Sequence, residues 1–213
     1  MPRAYKAAVR FLSIGAGRKV VAELKTLETR HGVHVEEKKL GPGQRGGFEP
    51  STNALILDPT KLHGSGDYAH ALVHEATHAS QKHRLAPRRD GLFAPWEGFK
   101  SASAYADHQV EMEARAEARA IETFNARGRP LGTRLEYHFK MGYASVEGSR
   151  ADKREAGIQA MIKAINDGLE WSYLRPSCEK FWTEANEKRR RAPALHFSRS
   201  LFERSMARRP LAG

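Results

Sequence analysis

The chain has 213 residues and a mass of 23.8 kDa, which suits a single hydrophobic core with appendages. Its composition, 40% hydrophobic and 29% charged, excludes a wholly disordered chain, and its one cysteine, Cys178, excludes a scaffold built on intrachain disulfides. The net charge of +11 makes the chain basic, and no run approaches the roughly 20 apolar residues of a membrane-spanning helix. We therefore expect no membrane span, and we expect Cys178 to be a small core residue.

The first sixty residues alternate between helical and extended patterns. Apolar residues at helical spacing predict helices at 4–12 and 19–29, and alternation at 33–36 predicts a short strand. The glycine-rich residues 41–47 are predicted to form a loop. The apolar run 53–57, closed by Asp-Pro, is the strongest strand candidate in the chain.

The rest of the chain is predicted to be mostly helical. Residues 84–102 are expected to be irregular because prolines and glycines interrupt them. Helices are predicted, in chain order, at residues 67–82, 102–126, 151–167 and 176–191. The expected fold is α+β and predominantly helical, with a small sheet, formed near 33–38 and 53–57, packed beside the first two of these helices.

Basic residues concentrate at the end of the chain. The last 39 residues, from Arg175 onward, contain ten basic and four acidic side chains, with the run Lys188–Arg191 at their centre. We expect a core domain of residues 1–175 followed by a basic helical extension of residues 176–213. Such an extension can bind nucleic acid or an acidic partner through its charge, or it can be a solvated tail, and the sequence leaves both open.

The segment with the clearest chemical meaning is His74-Glu75-Ala76-Thr77-His78, within the predicted helix 67–82. Two histidines four residues apart lie one turn apart on the same helical face, so both imidazoles can reach one metal ion at about 2 Å. Glu75 points to the side, where it can accept a proton from a water molecule at the metal. The segment therefore predicts a metal site with its own general base.

The faces of this helix indicate where the histidines point. At about 100° per residue, the small and apolar residues share one face, and His74 and His78 lie nearly opposite. That apolar face comprises Ala69, Leu72, Val73, Ala76 and Ser80. The two histidines are thus predicted to face a cleft or solvent. His70 shares their face, and we expect it to lie behind the ligands or to be incidental.

A hydrolytic zinc site needs a third protein ligand from elsewhere in the chain, and it keeps one position open for water. The predicted helix 102–126 offers Glu111, Glu113 and Glu117, among alanines that allow close approach to a neighbouring helix. The same segment has the spacing of ordinary ion pairs on a solvated helix. From the residues alone, the third ligand stays open.

The pairing of His-Glu-x-x-His with Glu-x-x-Ala on a following helix resembles the gluzincin branch of the zincin metallopeptidases. In that family the second glutamate completes the zinc site, often within Glu-x-Glu-Ala, and the segment 111–114 matches this register. The resemblance implies Zn²⁺ held by His74, His78 and Glu111, with Glu113 and then Glu117 as alternatives. Residues 53–81 also resemble bacterial effector and toxin-type metallopeptidases, in which the strand edges the cleft and pairs with extended substrate.

The resemblance further implies a zinc metalloendopeptidase, a hydrolase in which Glu75 is the general base and returns the proton to the leaving amine. The oxyanion that forms needs a hydrogen-bond donor. The candidates are first Tyr105 and His108, and then Tyr137 and His138. Phe93, Trp96 and Phe99 are expected either to line a substrate groove or to form a small core of their own loop.

Two other functions remain open from the sequence. The chain could be a basic nucleic-acid- or partner-binding protein with a structural or degenerate zinc site, although an intact Glu75 argues against degeneracy. It could also be a metal-dependent hydrolase of non-peptide amides, which would need the same zinc site. Residues 1–6 lead into no Sec-type signal, so we expect a cytoplasmic protein or one exported without such a signal.

Overall fold

The structure, a computed structural model, describes residues 3–42, 44–85 and 98–191. Within these ranges the chain forms seven helices and three short strands, which confirms the predominantly helical α+β fold. The elements are α1 (Arg3–Leu12), α2 (Gly17–His31), β1 (His34–Glu37), β2 (Gly46–Glu49), β3 (Ala54–Leu57), α3 (Ser65–Leu85), α4 (Ala102–Asn125), α5 (Arg134–Ala144), α6 (Arg150–Asn166) and α7 (Leu174–Arg191). None of the helices in these ranges has the length and apolar character needed to cross a membrane.

The three strands form one mixed sheet with the order β1-β3-β2. β1 runs parallel to β3 and β2 runs antiparallel to it, so that Val35 and Phe48 both lie opposite Leu55. All four residues of β3 are buried, as the apolar run 53–57 predicts. The prediction of a loop over 41–47 is wrong at its end, because Gly46 and Gly47 begin β2. Two glycines have little intrinsic strand preference, so pairing with β3 must form this strand.

Helix α5 is absent from the sequence-based prediction. Its segment includes aromatic residues and a glycine, which are poor helix formers. The available signal was the Thr-x-x-Glu pattern that often begins a helix. Thr133 does cap α5, since its hydroxyl accepts a hydrogen bond from the backbone N–H of Glu136 at 3.1 Å.

Two apolar cores meet along α4. The first lies between α1, α2, the sheet and α3, and the end of α4 adds Ala120 and Phe124 to it. The second lies between α5, α6 and the part of α4 from Val110 to Ile121, and Phe139 and Met161 are buried in it. A cleft lies along α3 and α4, beside both cores.

Helices α5 and α6 pack against each other through glycine. A Cβ at Gly142 would lie 2.5 Å from the carbonyl oxygen of Ala156 and 2.6 Å from the Cβ of Ala160. Gly142→Ala should therefore push the two helices apart and lower the free energy of unfolding by about 1–3 kcal/mol, measured by urea denaturation. The matched variant is Gly66→Ala in α3, where a Cβ meets nothing within 4 Å. Gly66→Ala should not be destabilised. An equal loss of unfolding free energy in both variants would contradict the close packing of α5 and α6 at Gly142.

The predicted boundary after residue 175 falls in the first turn of α7, and this turn is bound to the rest of the chain. Arg175 donates hydrogen bonds to Ser103 on α4 at 2.8 Å and to Asn166 at the end of α6 at 3.0 Å. Cys178 is half-buried, and burial raises the pKa of its thiol. The residues 188–190 are exposed at the far end of α7, whereas residues 192–213 of the predicted extension lie outside the described residues. Binding of nucleic acid or an acidic partner stays a prediction.

Candidate metal centre

Helices α3 and α4 bring His74 and His78 together with Glu113. One ligand atom from each residue lies within 4.8 Å of the other two. The Nε2 atom of His74 lies 3.0 Å from Glu113 Oε2 and 3.1 Å from the Nε2 atom of His78. The other oxygen of the same carboxylate, Glu113 Oε1, lies 3.4 Å from His78 Nε2. Three electron-pair donors thus converge on one point, and together they could hold a metal ion.

Hydrogen bonds on the other side of each imidazole orient these donors. Nδ1 of His74 lies 3.2 Å from a carboxylate oxygen of Glu117, and Nδ1 of His78 lies 2.9 Å from Oε1 of Gln81. The amide of Gln81 donates to the backbone oxygen of Met112 at 3.0 Å, which fixes its own oxygen toward His78. Each Nδ1–H therefore has an acceptor, and each Nε2 can direct its lone pair at the metal. Gln81 has no evident role from the sequence alone, although it lies one turn after His78.

Glu117 lies behind His74 and not among the converging atoms. Its carboxylate is buried and also accepts a hydrogen bond from Nε2 of His70 at 3.1 Å. Burial raises the pKa of Glu117, but hydrogen bonds from His70 and His74 outweigh it and lower this pKa to about 2. For His74 the directions are reversed. Burial lowers its pKa, but its hydrogen bonds to Glu113 and Glu117 outweigh burial and raise this pKa. Glu117 is thus an ionised carboxylate that holds His74 in place, with His70 behind it.

Glu111, the first choice for the third ligand, lies outside this cluster. Its side chain is 45% exposed and accepts a hydrogen bond from Nε of Arg115 at 2.8 Å. Arg115 in turn pairs with Glu155 on α6 at 3.0 Å. Residues two apart on a helix differ by about 200° in direction, so Glu111 and Glu113 cannot both face α3. The structure therefore replaces Glu111 with its alternative, Glu113, as the candidate third ligand.

Glu75 lies beside the centre, between α3 and β2. Its side chain is only 8% exposed, and burial raises the pKa of its carboxyl group. A Cβ placed on Gly46 would lie 3.0 Å from Oε1 of Glu75 and 3.1 Å from its Cγ. Glycine at position 46 therefore leaves the space that this carboxylate occupies. The role of Gly46 in making room for Glu75 could not be predicted, because the sequence placed this glycine in a loop.

Gly46→Ala is expected to displace the Glu75 carboxylate by a few tenths of an ångström and to lower any hydrolytic activity by about tenfold. The reason is that a catalytic group misplaced by about 1 Å can reduce a rate about 100-fold. Gly66→Ala should have a much smaller effect, because a Cβ there meets nothing within 4 Å and Gly66 is not among the residues that line the cleft. Steady-state kinetics of the two variants measure the difference. Equal activities would show that position 46 does not set the carboxylate.

The candidate centre opens into a cleft of about 630 Å³. α3 and α4 carry the centre, β2 lies at one side, and the start of α5 and the turn between α6 and α7 also border the cleft. The resemblance to effector and toxin-type metallopeptidases implied that the strand at 53–57 edges the cleft. In the structure, β3 lies between β1 and β2 and has no free edge. The bordering strand is β2, whose residues Gly46, Gly47 and Phe48 line the cleft.

Of the four candidate donors to an oxyanion, the structure places one on the cleft. His108 lines it, and burial lowers the pKa of its imidazole. Tyr105 is buried instead against Phe99 and Phe181, and burial raises its pKa to about 12. The remaining two candidates, Tyr137 and His138, pack against each other on α5. Tyr137 is 61% exposed, and neither residue is among the described residues that line the cleft.

The aromatic residues expected in the groove fall into two groups. Phe99 contacts the rings of Tyr105 and His108, with centroids 5.5 and 5.0 Å away. Phe93 and Trp96 lie outside the described residues. An aromatic side chain that the sequence analysis did not single out, Trp171, does line the cleft. No signal near the motif could have indicated it, because it lies almost 100 residues further along the chain.

Comparisons with known proteins add no family to this description. The chain matches no protein-family model, no curated protein and no solved structure. The inference of function therefore rests on the residues of the cleft. Those residues are two histidines and a glutamate that converge, a buried glutamate beside them, and acceptors that orient both imidazoles.

Proposed function

We propose that the protein is a zinc-dependent metallopeptidase of the zincin type that hydrolyses peptide bonds in proteins or peptides. The observation that carries this proposal is the convergence of His74, His78 and Glu113 in an open cleft, directly beside the buried carboxylate of Glu75. A structural metal site needs no such carboxylate, whereas hydrolysis by water needs a group that takes up a proton.

The donor set fits zinc. Zinc bonds of about 2.0–2.2 Å at tetrahedral angles separate the ligand atoms by about 3.3–3.6 Å. The two imidazole nitrogens lie 3.1 Å apart, and the Glu113 carboxylate lies 3.0 Å from His74 through Oε2 and 3.4 Å from His78 through Oε1. Small movements of the side chains would therefore bring one carboxylate oxygen and both nitrogens to this geometry. Two neutral imidazoles and one carboxylate also form the ligand set of known catalytic zinc sites, with a fourth position left open.

The chain's own residues divide the remaining work. Zinc, when bound, supplies a Lewis acid that polarises a carbonyl and lowers the pKa of a water molecule. Glu75 takes the proton from the attacking water and returns it to the nitrogen of the leaving amine. Its carboxylate is buried and lines the same cleft as the two histidines, which suits a group that exchanges a proton there. His108 is the candidate donor to the oxyanion, since it lines the cleft.

The edge strand at the side of the cleft favours a peptide over a small amide as the substrate. In the described part of the sheet, β2 is an edge strand that pairs with β3 alone. An extended peptide can add to such an edge through its backbone hydrogen bonds. We place the substrate along β2, with its scissile carbonyl toward His74 and His78.

The direct test uses the zinc-loaded chain and an unfolded protein as the substrate. New peptide termini should appear, as measured by mass spectrometry. They should disappear when a chelator removes the metal and return when zinc is added back. Full metal loading without any cleavage, across several unfolded proteins and a mixed peptide library, would argue against the proposed function.

A further inference from the structure

The turn between α6 and α7, residues 167–173, holds a tryptophan in a strained backbone conformation. Trp171 has a φ of 43°, and only one other non-glycine residue in the described part of the chain has a positive φ. This conformation costs a bulky residue on the order of 1–3 kcal/mol, and such strain concentrates at functional sites. Backbone hydrogen bonds hold the turn on both sides, from Gly168 to Ile165 at 3.1 Å and from Leu174 to Trp171 at 2.8 Å.

The strained conformation places the indole beside the candidate metal centre. The centroid of the Trp171 ring lies 6.3 Å from that of the His74 ring, with 70° between the ring planes. The ring is half-buried, so one part of it packs against the second core and another part borders the cleft. Leu174 and Leu135 border the cleft beside the same core. The second core therefore reaches the cleft surface here as an apolar wall.

One pair of opposite charges borders this wall. Arg134 and Glu170 both line the cleft, and they lie 3.8 Å from each other. Tyr173 adds further aromatic surface, because its side chain lines the cleft and is 67% exposed. Aromatic surface that stays accessible beside a recognition site is typical of binding pockets for apolar groups.

We infer that the turn between α6 and α7 forms a binding subsite for a large apolar side chain of the peptide substrate, with Trp171 as its aromatic face. The inference rests on the proposed peptidase function, which supplies an extended peptide lying along β2, on the other side of the centre. A side chain that projects from such a peptide toward the second core meets the indole. Phenylalanine and leucine fit this wall, whereas alanine leaves it uncovered and aspartate loses hydration there without a partner.

The experiment measures binding without turnover. Fluorescence anisotropy with zinc-loaded Glu75→Gln protein gives the affinity of labelled polyalanine peptides that carry one Phe, Leu, Ala or Asp at the centre. The Phe and Leu peptides should bind about tenfold more tightly than the Ala and Asp peptides. Adding Trp171→Ala should reduce this preference to about twofold or less. Leu169→Ala should keep it, because Leu169 is in the same turn and is 60% exposed but is not among the residues that line the cleft.

A second variant separates the indole from the strain. Trp171→Gly removes the ring but adopts a positive φ at no steric cost, so it should fold at least as stably as Trp171→Ala and should lose the same preference. The inference is overturned if the preference for Phe and Leu survives in both Trp171 variants. It is also overturned if Glu75→Gln protein with Trp171 intact shows no preference, or if no peptide binds detectably. If the preference depends on Trp171 but the unmodified, zinc-loaded chain never cleaves peptides, only the proposed peptidase function is overturned.

Discussion

Replacing Glu75 by glutamine is expected to lower kcat/KM for peptide hydrolysis by about 10²–10⁴-fold, which is the range that general acid–base catalysis supplies. Glutamine has nearly the same shape as glutamate, but its amide cannot take up a proton at neutral pH. Glu75 is also not among the three residues whose atoms converge. The zinc content of Glu75→Gln, measured by elemental analysis, should therefore equal that of the unmodified chain.

Glu184→Gln is the matched control for this variant. Glu184 lies on α7 with its side chain 56% exposed, near Lys180, and its substitution should change neither the activity nor the metal content. If Glu75→Gln retains full cleavage while it holds zinc, then Glu75 is not the base, and the proposed mechanism fails. If Glu75→Gln loses zinc together with activity, then the Glu75 carboxylate supports the metal site, and the loss of activity no longer supports a role for Glu75 in proton transfer.

Local spacing explains why the sequence located two of the three candidate ligands. His74 and His78 lie four residues apart, and helix geometry alone then places them on one face, opposite the apolar residues that pack in the first core. The buried residues of α3 include Leu72, Val73 and Ala76, as the helical pattern predicts. For features of this kind, no knowledge of the rest of the chain is needed.

The third ligand could not be obtained in this way, because it depends on how α4 is rotated relative to α3. The packing of α4 on two cores sets this rotation. Val110, Ala114 and Ile121 face the second core, and Arg115 pairs with Glu155 on α6. Both contacts turn Glu111 away from α3 and Glu113 toward it. The same limit applies to Gln81, whose orientation depends on a backbone oxygen of α4.

The fold shows a similar division. The buried strand β3 was predicted because its four residues are apolar, whereas β2 was missed because only its pairing with β3 makes it a strand. That pairing also makes β3 the central strand and moves the cleft edge to β2. The apolar wall at Trp171 depends on the position of the turn between α6 and α7. Features that arise from contacts between distant segments therefore had to come from the structure.

Glu113→Ala is expected to abolish zinc binding, while Glu111→Ala keeps it. Glu113 supplies one of three converging ligand atoms, so its loss should reduce zinc affinity by more than the 10–100-fold that is typical of residues that only orient ligands. Glu111 instead pairs with Arg115 on the exposed side of α4. Competition with a chelating dye measures both affinities, and thermal denaturation shows whether each variant is folded.

The two variants form a matched pair, since each removes a glutamate side chain from the same helix, two residues apart. Zinc binding lost in Glu111→Ala and kept in Glu113→Ala would mean that α4 is rotated by about 200°, and the contacts of α4 with α6 would then have to differ as well. Zinc binding kept in both variants would leave Glu117 as the third ligand, and His74 would then have to reach the metal through its Nδ1 atom, which lies 3.2 Å from that carboxylate. The pair of affinities therefore tests the rotation of α4 as well as the identity of the ligand.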